Sequence, residues 1–439
     1  MLRKALWSAF RWSRGLGPHL AELDRFAALR PDQARRELAC RLLCLVQYFG
    51  NREDSLPEWR EAARIRDPEE LWRIWPSLPC VTKHDLQTRF EPQTMQRRFG
   101  LRGIISSTGG STGEPTPYLH DRGMLQAMAA TRLYTRLKFG WRPGMATIGV
   151  WGSERDIEKQ TSFASRLSAY LRNEWLVAGY HLDSRTVDEV LSLLYRHRRV
   201  AMFGFSSMLQ FVAGEVLARG IRLPHGCVQA AWNGGEMLFD SQVELFQRAF
   251  GAPLRNLYGG RELSAMAYQD GDAKPLRVLR PLLMVEIVDE HNRPVPPGQS
   301  GRLLWTSTCC RGTPFVRYDI GDIGCASPQD QDESGIRALT ELQGRSAGLL
   351  RLPSGHTINC LFWNHLFKEF REIQQFQVVI LNDRELLLNL KGTPWGAERE
   401  SHVRRILQRL LGDLPVSVRW VDRIPLTSQG KLVQVVRQL

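Results

Sequence analysis

The stretch SSTGGSTGEPT at residues 106–116 is the most distinctive part of the sequence. Its first part, residues 106–113, consists entirely of serine, threonine and glycine. Glycines let a backbone wrap closely around an anion, and the hydroxyl side chains add hydrogen-bond donors. A triphosphate is the natural ligand of such a loop. Because a flexible surface turn has a similar composition, this segment alone does not define a binding site.

The loop differs from a Walker-type phosphate loop. It lacks the Lys-Ser/Thr ending, and Pro115 followed by residues 116–119 favours a second strand rather than a helix. Residues 104–107, which precede the loop, are short and β-like. The sequence therefore predicts a loop between two strands.

The chain around this loop alternates between apolar strands and longer helices over residues 100–340, which is typical of a parallel α/β sheet. The predicted fold class is α/β: a large N-terminal α/β domain with a β-rich subregion at residues 276–326, and a small C-terminal α+β domain. We expect a mostly helical segment at residues 1–100 that packs on the large domain. The large domain itself is expected at residues 101–343 and the small domain at residues 344–439.

Composition excludes several classes of protein. The 439 residues are 43% hydrophobic and 24% charged, which argues against a disordered chain. No apolar run reaches the ~18 residues that a membrane-spanning helix needs, and residues 1–16 lack the features of a secretory signal. None of the eight cysteines forms a C-x-x-C pair, so we expect free thiols in a reducing cytoplasm.

The formal net charge of +13 favours acidic partners, such as nucleotides, nucleic acid, anionic lipid or an acidic carrier protein. The basic residues are scattered in short clusters, and the chain has neither zinc-finger spacing nor an RNA-binding aromatic signature. We therefore expect no nucleic-acid partner.

Four further motifs follow the loop in order: LYGGRE at 257–262, RYDIGD at 317–322, GRS at 344–346 and PLTSQGKL at 425–432. Together with the loop, this series resembles the adenylate-forming superfamily of acyl-CoA synthetases, peptide-synthetase adenylation domains and luciferases. The short length, the PCVTK segment at 79–83 and the compact last domain resemble its phenylacetate–CoA ligase and capsule-biosynthesis branch. The resemblance covers roughly residues 78–439.

This resemblance implies a reaction. A carboxylic acid is joined to the α-phosphate of ATP, pyrophosphate is released, and the acyl group then passes to a thiol. Coenzyme A, or the phosphopantetheine of an acidic carrier protein, is the implied acceptor, and Mg²⁺ is the implied metal. Since two anions must meet, such a site needs cations and oriented donors.

The resemblance also implies roles for individual residues. Lys431 would bridge the substrate carboxylate and the α-phosphate, and Glu262 would hold Mg²⁺. Tyr258 would stack on adenine, and Asp322 would accept both ribose hydroxyls. The implied ATP and AMP contacts are Ser107, Thr108, Gly109, Gly110, Ser111, Thr112, Gly113, Gly235, Glu236, Tyr258, Gly259, Asp322 and Arg345, and the implied catalytic residues are Lys431, Glu262 and Thr108.

The chain departs from the family pattern at two places. Glu114 stands where many relatives have lysine, and Ala347 and Gly348 stand where many relatives have acidic hinge residues. The resemblance therefore supports formation of the acyl-adenylate more firmly than transfer of the acyl group to a thiol. The open alternatives are a carrier-protein loader, an enzyme that acylates an amine or hydroxyl, and a non-catalytic nucleotide-binding scaffold. The identity of the acid is not determined, although 13 tryptophans hint at an aromatic or apolar acyl group.

Overall fold

The structure is a computed structural model. It describes residues 15–107, 116–151, 169–179, 183–345, 350–351, 357–358, 363, 366–367, 370, 372–381, 385–412, 414–425 and 432–438. The helices are α1 (Leu16–Ala27), α2 (Pro31–Gly50), α3 (Pro57–Ala62), α4 (Pro68–Ile74), α5 (Lys83–Thr88), α6 (Pro92–Phe99), α7 (Arg122–Lys138), α8 (Ser184–His197), α9 (Ser206–Ala218), α10 (Asp240–Phe250) and α11 (Ala397–Leu411).

The strands up to residue 288 are β1 (Gly103–Ser107), β2 (Pro117–Asp121), β3 (Ala146–Trp151), β4 (Glu174–Ala178), β5 (Val200–Gly204), β6 (Val228–Asn233), β7 (Leu254–Arg255), β8 (Leu257–Gly260), β9 (Ser264–Gln269), β10 (Leu276–Val278) and β11 (Leu283–Val288). The later strands are β12 (Ser300–Ser307), β13 (Tyr318–Cys325), β14 (Gln331–Asp332), β15 (Gly335–Ile336), β16 (Ala338–Leu339), β17 (Glu341–Arg345), β18 (Leu350–Arg351), β19 (Thr357–Ile358), β20 (Ile373–Leu381), β21 (Glu385–Gly392), β22 (Val416–Trp420) and β23 (Val435–Gln438).

A parallel sheet forms the centre of the large α/β region. Its strand order is β4-β3-β5-β6-β7, and every neighbouring pair is parallel. The central strands are apolar because helices α8, α9 and α10 pack against them and remove their side chains from water. The carboxyl end of β6 is polar, and it ends at the buried residue Asn233.

Two antiparallel sheets form the β-rich part of the large region. One has the order β16-β10-β9-β8 and the other β11-β12-β13-β17. The first sheet carries the LYGGRE motif on β8, and the second carries the RYDIGD motif at the start of β13. The two sheets and the N-terminal helices share one hydrophobic core.

The C-terminal part is a mixed sheet with the order β22-β21-β20-β23 and helix α11 beside it. Its core is apolar and aromatic, with Trp363 and Phe376 among the buried residues. The predicted fold class, α/β with a β-rich part and a C-terminal α+β unit, is confirmed by this architecture.

The PCVTK segment connects the N-terminal helices to β13. Val81 donates from its amide to the Arg317 carbonyl at 3.2 Å and accepts from the Asp319 amide at 2.9 Å. Thr82 then caps α5, because its hydroxyl accepts from the Asp85 amide at 3.2 Å and the Asp85 carboxylate accepts from the Thr82 amide at 2.8 Å.

The apolar and aromatic residues at 315–318 predict a short strand, and this prediction is wrong, since β13 begins only at Tyr318. Phe315 and Val316 form tight turns, in which the amide of each residue donates to the carbonyl two residues earlier. Arg317 has φ +46°, a left-handed conformation that a regular strand does not contain.

This left-handed turn buries the Arg317 side chain completely. Its Nε lies 3.1 Å from the Glu286 carboxylate, which also accepts from the Trp75 indole at 2.9 Å. Burial raises the pKa of Glu286, and the Arg317 charge acts in the opposite direction.

We expect Arg317→Met to lower the free energy of unfolding by about 3–5 kcal/mol, because it leaves the Glu286 charge without its cation. Arg404→Met is the matched control. Its partner Glu400 lies on the same exposed helix face, so the change should cost less than ~1 kcal/mol. Chemical denaturation measures both, and equal midpoints for the two variants would contradict the assignment.

Candidate active site

The glycine-rich loop joins a β-hairpin. Strands β1 and β2 are antiparallel, with Ser107 opposite Pro117, which confirms the two predicted strands that flank the glycine-rich segment. Both ends of the loop therefore leave the hairpin side by side. The predicted contacts Thr108, Gly109, Gly110, Ser111, Thr112 and Gly113 lie outside the described residues.

Strand β2 connects the base of the loop to the LYGGRE motif. The Tyr118 hydroxyl donates to the Ser107 carbonyl at 3.3 Å, and His120 Nε2 donates to the Glu262 carbonyl at 2.7 Å. Burial raises the pKa of Tyr118, and the nearby negative charge of Glu262 raises it further. Burial also lowers the pKa of His120, which favours the neutral form of the imidazole that contacts Glu262. These contacts place Ser107 and Glu262 in one neighbourhood.

Glu262 is a buried carboxylate, 5% exposed. Among the described residues, no hydrogen bond or ion pair to its side-chain oxygens is found. A side chain at Gly260 would start 3.1 Å from Glu262 Oε2, so glycine there keeps the space beside the carboxylate open. A buried acceptor without a protein partner fits a cation. The described residues contain no cluster of three or more His, Cys, Asp or Glu side chains that could hold a metal ion.

Tyr258 and Asp322 come from different sheets and meet directly. The Tyr258 hydroxyl donates to Asp322 Oδ2 at 2.6 Å, and the Tyr258 ring packs on Trp305 with ring centroids 5.8 Å apart. Arg345 is the register partner of Asp322 across β13 and β17. The structure thus brings together the three residues that the sequence assigned to adenine and ribose.

Asn233 connects two motifs that are separate in the sequence. Its Nδ2 donates to the Glu236 carbonyl at 2.9 Å, and its Oδ1 accepts from the Leu257 amide at 3.0 Å. It therefore fixes the NGGE turn, where Gly235 has φ +77°, against the start of β8. Sequence reasoning assigned no role to Asn233, although an asparagine at the end of an apolar strand was the available signal.

Glu236 is held by four donors. Its Oε2 accepts from the Ser207 amide at 2.9 Å and lies 3.1 Å from the Ser206 hydroxyl, which also donates to the Met237 carbonyl at 2.6 Å. Its Oε1 accepts from the Ser207 hydroxyl at 3.1 Å and from the Leu432 amide at 2.9 Å. Burial raises the pKa of Glu236, while the hydrogen bonds oppose that shift. Its predicted contact with nucleotide stays a prediction.

Leu432 follows directly after Lys431, which lies outside the described residues together with the hinge residues Ala347 and Gly348. The Leu432 amide contacts the turn at residues 233–236. The C-terminal unit therefore contacts the same region as β8.

Lys83 is a further cation that sequence reasoning did not assign to the site. Gly321, in the RYDIGD turn, has φ +84°, and a side chain at this position would start 3.9 Å from Lys83 Nζ. The Lys83 ammonium therefore lies beside the turn that presents Asp322. Its position follows from the main-chain bonds between Val81 and β13.

Sequence comparison identifies distant relatives. No protein-family model matches the chain. Protein CapK of Staphylococcus aureus is 23% identical over 246 residues, which are 56% of this chain and 52% of CapK. Phenylacetate-coenzyme A ligase of Thermus thermophilus is 21% identical over 322 residues, which are 70% of this chain and 67% of that ligase. The matched region thus spans about half the length of CapK.

Solved structures of 2-hydroxyisobutyryl-CoA ligase have the same fold. In its postadenylation state, with a bound acyl-AMP, that ligase matches with a TM-score of 0.67 at 17% identity, over 92% of this chain and 89% of the ligase. In its thioesterification state, with acyl-AMP and CoA, the TM-score is 0.53 at 18% identity, over 93% of this chain and 90% of the ligase. The arrangement of this chain is thus closer to the postadenylation state.

These observations define the class: the chain has the fold of the adenylate-forming ligases. In sequence it is similar to a phenylacetate–CoA ligase and to CapK, which agrees with the resemblance that the motif series indicated. Within the described ranges, no helix combines the length and apolarity needed to cross a membrane.

We expect Asn233→Ala to lower the free energy of unfolding by about 1–3 kcal/mol, because it leaves the Leu257 amide and the Glu236 carbonyl without their partner. Gln229→Ala is the control on the same strand, where the side chain is exposed, and it should change stability by less than about 0.5 kcal/mol. Thermal or chemical unfolding measures both variants. An Asn233→Ala protein as stable as the control would contradict the stabilising role of the Asn233 hydrogen bonds.

Proposed function

We propose that this protein uses ATP to activate a carboxylic acid as an acyl-adenylate, releases pyrophosphate, and transfers the acyl group to a thiol. Coenzyme A is the default acceptor. The observation that carries the proposal is the convergence of four separate motifs. Tyr258 bonds to Asp322, Asp322 lies opposite Arg345, and Leu432 bonds to Glu236.

The proposed nucleotide site uses residues of the large region. Tyr258 contacts adenine, Asp322 and Arg345 contact the ribose, and Gly259 and Gly235 allow close approach of the backbone. A side chain at Gly259 would collide with the Ser264 carbonyl at 2.1 Å, so only glycine fits there. Ser107 and residues 108–113 hold the β- and γ-phosphates.

The proposed chemistry is attack of a substrate carboxylate oxygen on the α-phosphorus, with pyrophosphate as the leaving group. Both reactants are anions, so the site must supply positive charge at the point of attack. Lys431 supplies it by bridging the carboxylate and the α-phosphate. Glu262 holds Mg²⁺, which when bound neutralises phosphate oxygens.

We also propose the division of the chain into a helical N-terminal segment at 1–100, a large domain at 101–343 and a small domain at 344–439. The relatives named for CoA ligation support a thiol as the acceptor. A carrier-protein thiol is the second candidate, because the net charge of +13 favours an acidic partner. Amines and hydroxyls stay alternatives. Glu262, Asp322 and Lys431 are all present, which argues against a non-catalytic scaffold.

Pyrophosphate release with ATP and Mg²⁺ tests the proposal across a library of aliphatic and aromatic carboxylic acids. We expect release that depends on the acid, followed by thioester formation when CoA is added. CoA and a carrier-protein thiol are offered in separate reactions. If an acyl-adenylate forms but neither thiol gives a thioester, the acceptor is an amine or a hydroxyl. Absence of release with every acid would contradict the proposed activity.

We expect Lys431→Ala to slow pyrophosphate release by about 10²–10³-fold, since one preorganised donor at the developing charge contributes that much. ATP binding should change little, because the other proposed ATP contacts lie in the large region. Lys391→Ala, on β21 of the same C-terminal unit, is the control for loss of a lysine there and should keep normal activity. Near-normal release by Lys431→Ala would overturn its assignment.

We expect Glu262→Gln to raise the Mg²⁺ or Mn²⁺ concentration needed for half-maximal pyrophosphate release, because the amide keeps the shape but loses the charge. A metal titration at saturating ATP and acid measures this. An unchanged titration curve would assign Glu262 to structure instead.

A further inference from the structure

The carboxylate of Glu236 is largely occupied by groups of the protein itself. A carboxylate offers about four acceptor sites. The amides of Ser207 and Leu432 and the Ser207 hydroxyl take three of them, and the Ser206 hydroxyl lies 3.1 Å from Oε2 while it also donates to the Met237 carbonyl at 2.6 Å. Two of the four donors are backbone amides, which cannot rotate to become acceptors. This arrangement points to a different task from the nucleotide contact that the sequence suggested.

The four donors come from two parts of the chain. Three belong to the N-terminus of α9, which is packed on the parallel sheet of the large region. The fourth is the amide of Leu432, which lies 196 residues further along and next to Lys431. Glu236 is itself fixed to the large region, because Asn233 binds its carbonyl.

The segment after Leu432 is also built into the C-terminal sheet. The Val433 carbonyl accepts from Gln377 Nε2 at 3.1 Å, and the Gln434 carbonyl accepts from the Val378 amide at 2.7 Å. Residue 432 therefore stands between a sheet of the C-terminal unit and the Glu236 carboxylate of the large region.

We propose that Glu236 is a positioning residue that holds the Lys431 segment against the large region while the acyl-adenylate forms, and that this bond is absent during transfer to the thiol. The inference rests on the proposed function. The match to the postadenylation state of the 2-hydroxyisobutyryl-CoA ligase, with a TM-score of 0.67 against 0.53 for its thioesterification state, agrees with a contact that belongs to the first step.

The role requires a carboxylate rather than any polar side chain. Glutamine keeps only one of the two carboxylate oxygens as an acceptor. At the position of the other oxygen, its NH₂ group would face a backbone N–H, and two donors cannot bond to each other. The serine hydroxyls can rotate to accept from that amide group, but the amides of Ser207 and Leu432 cannot. Because Ser207 is a permanent neighbour within the large region, Glu236→Gln keeps its oxygen toward Ser207 and loses the bond to Leu432.

The experiment measures the two half-reactions separately in Glu236→Gln. Adenylation is followed as pyrophosphate release, and transfer is followed as thioester formation from a supplied acyl-adenylate and CoA. We expect adenylation to slow by about 10- to 100-fold, the range for one hydrogen bond to a charged group, and transfer to stay unchanged. Equal loss of both steps would show a merely structural role and overturn the proposal, as would normal adenylation.

Glu215→Gln is the matched control. It makes the same chemical change on α9, the helix whose N-terminus contacts Glu236, but its partner is the exposed Arg219 one turn away. Both half-reactions should be normal in this variant. A loss of adenylation in Glu215→Gln equal to that in Glu236→Gln would overturn the proposal.

Leu432→Pro removes the amide donor on the other side of the bond. It leaves the contacts of Ser206 and Ser207 with Glu236 intact. If both variants break the same bond, the double variant Glu236→Gln/Leu432→Pro should adenylate no more slowly than the slower single variant. Multiplied losses would mean that the two residues act independently, against the proposal.

Hydrogen exchange gives a measurement that does not depend on activity. In the protein without substrates, amides in a peptide covering residues 425–438 should exchange faster in Glu236→Gln than in the wild type or in Glu215→Gln. If the wild type activates no acid, the proposed function fails, while the exchange experiment still decides whether Glu236 holds this segment. Identical exchange in all three proteins would overturn the contact.

Discussion

The polar carboxyl end of strand β6 is the constraint on which the arrangement of the site depends. Buried backbone groups need partners, and the side chains of Asn233 and Glu236, at and just after this strand end, supply them to neighbouring segments. Asn233 binds Leu257 at the start of β8, and Glu236 binds Leu432 in the C-terminal unit. One turn after a parallel strand thereby orders segments that are far apart in the sequence.

The other site residues follow from this connection. Fixing Leu257 places Tyr258 on β8, where its hydroxyl reaches Asp322 from the second antiparallel sheet. Val81 pairs with the start of β13, so the same turn also receives Lys83. Acidic and basic groups from four parts of the chain thus surround one region. This distribution suits a reaction in which two anions are brought together.

The sequence predicted the fold class and the two strands on either side of the glycine-rich segment, because both depend on local patterns of glycine and apolar residues. It did not predict the left-handed Arg317, whose conformation is stabilised by a buried ion pair with Glu286, 31 residues away. The partners of Asn233 and Glu236 were equally inaccessible, since they depend on tertiary contacts across 24 and 196 residues. The motif order indicated the site, whereas only the structure showed which atoms connect its parts.

Oxygen labelling tests the central claim, formation of an acyl-adenylate, most directly. The accepted acid is prepared with ¹⁸O in its carboxylate and incubated with ATP, Mg²⁺ and the thiol, and the products are analysed by mass spectrometry. Attack of the carboxylate on the α-phosphorus, followed by cleavage at the acyl carbon, leaves one carboxylate oxygen on the nucleotide. We therefore expect one ¹⁸O atom in AMP and none in pyrophosphate. Label in inorganic phosphate with ADP as the nucleotide product, or unlabelled AMP, would contradict it.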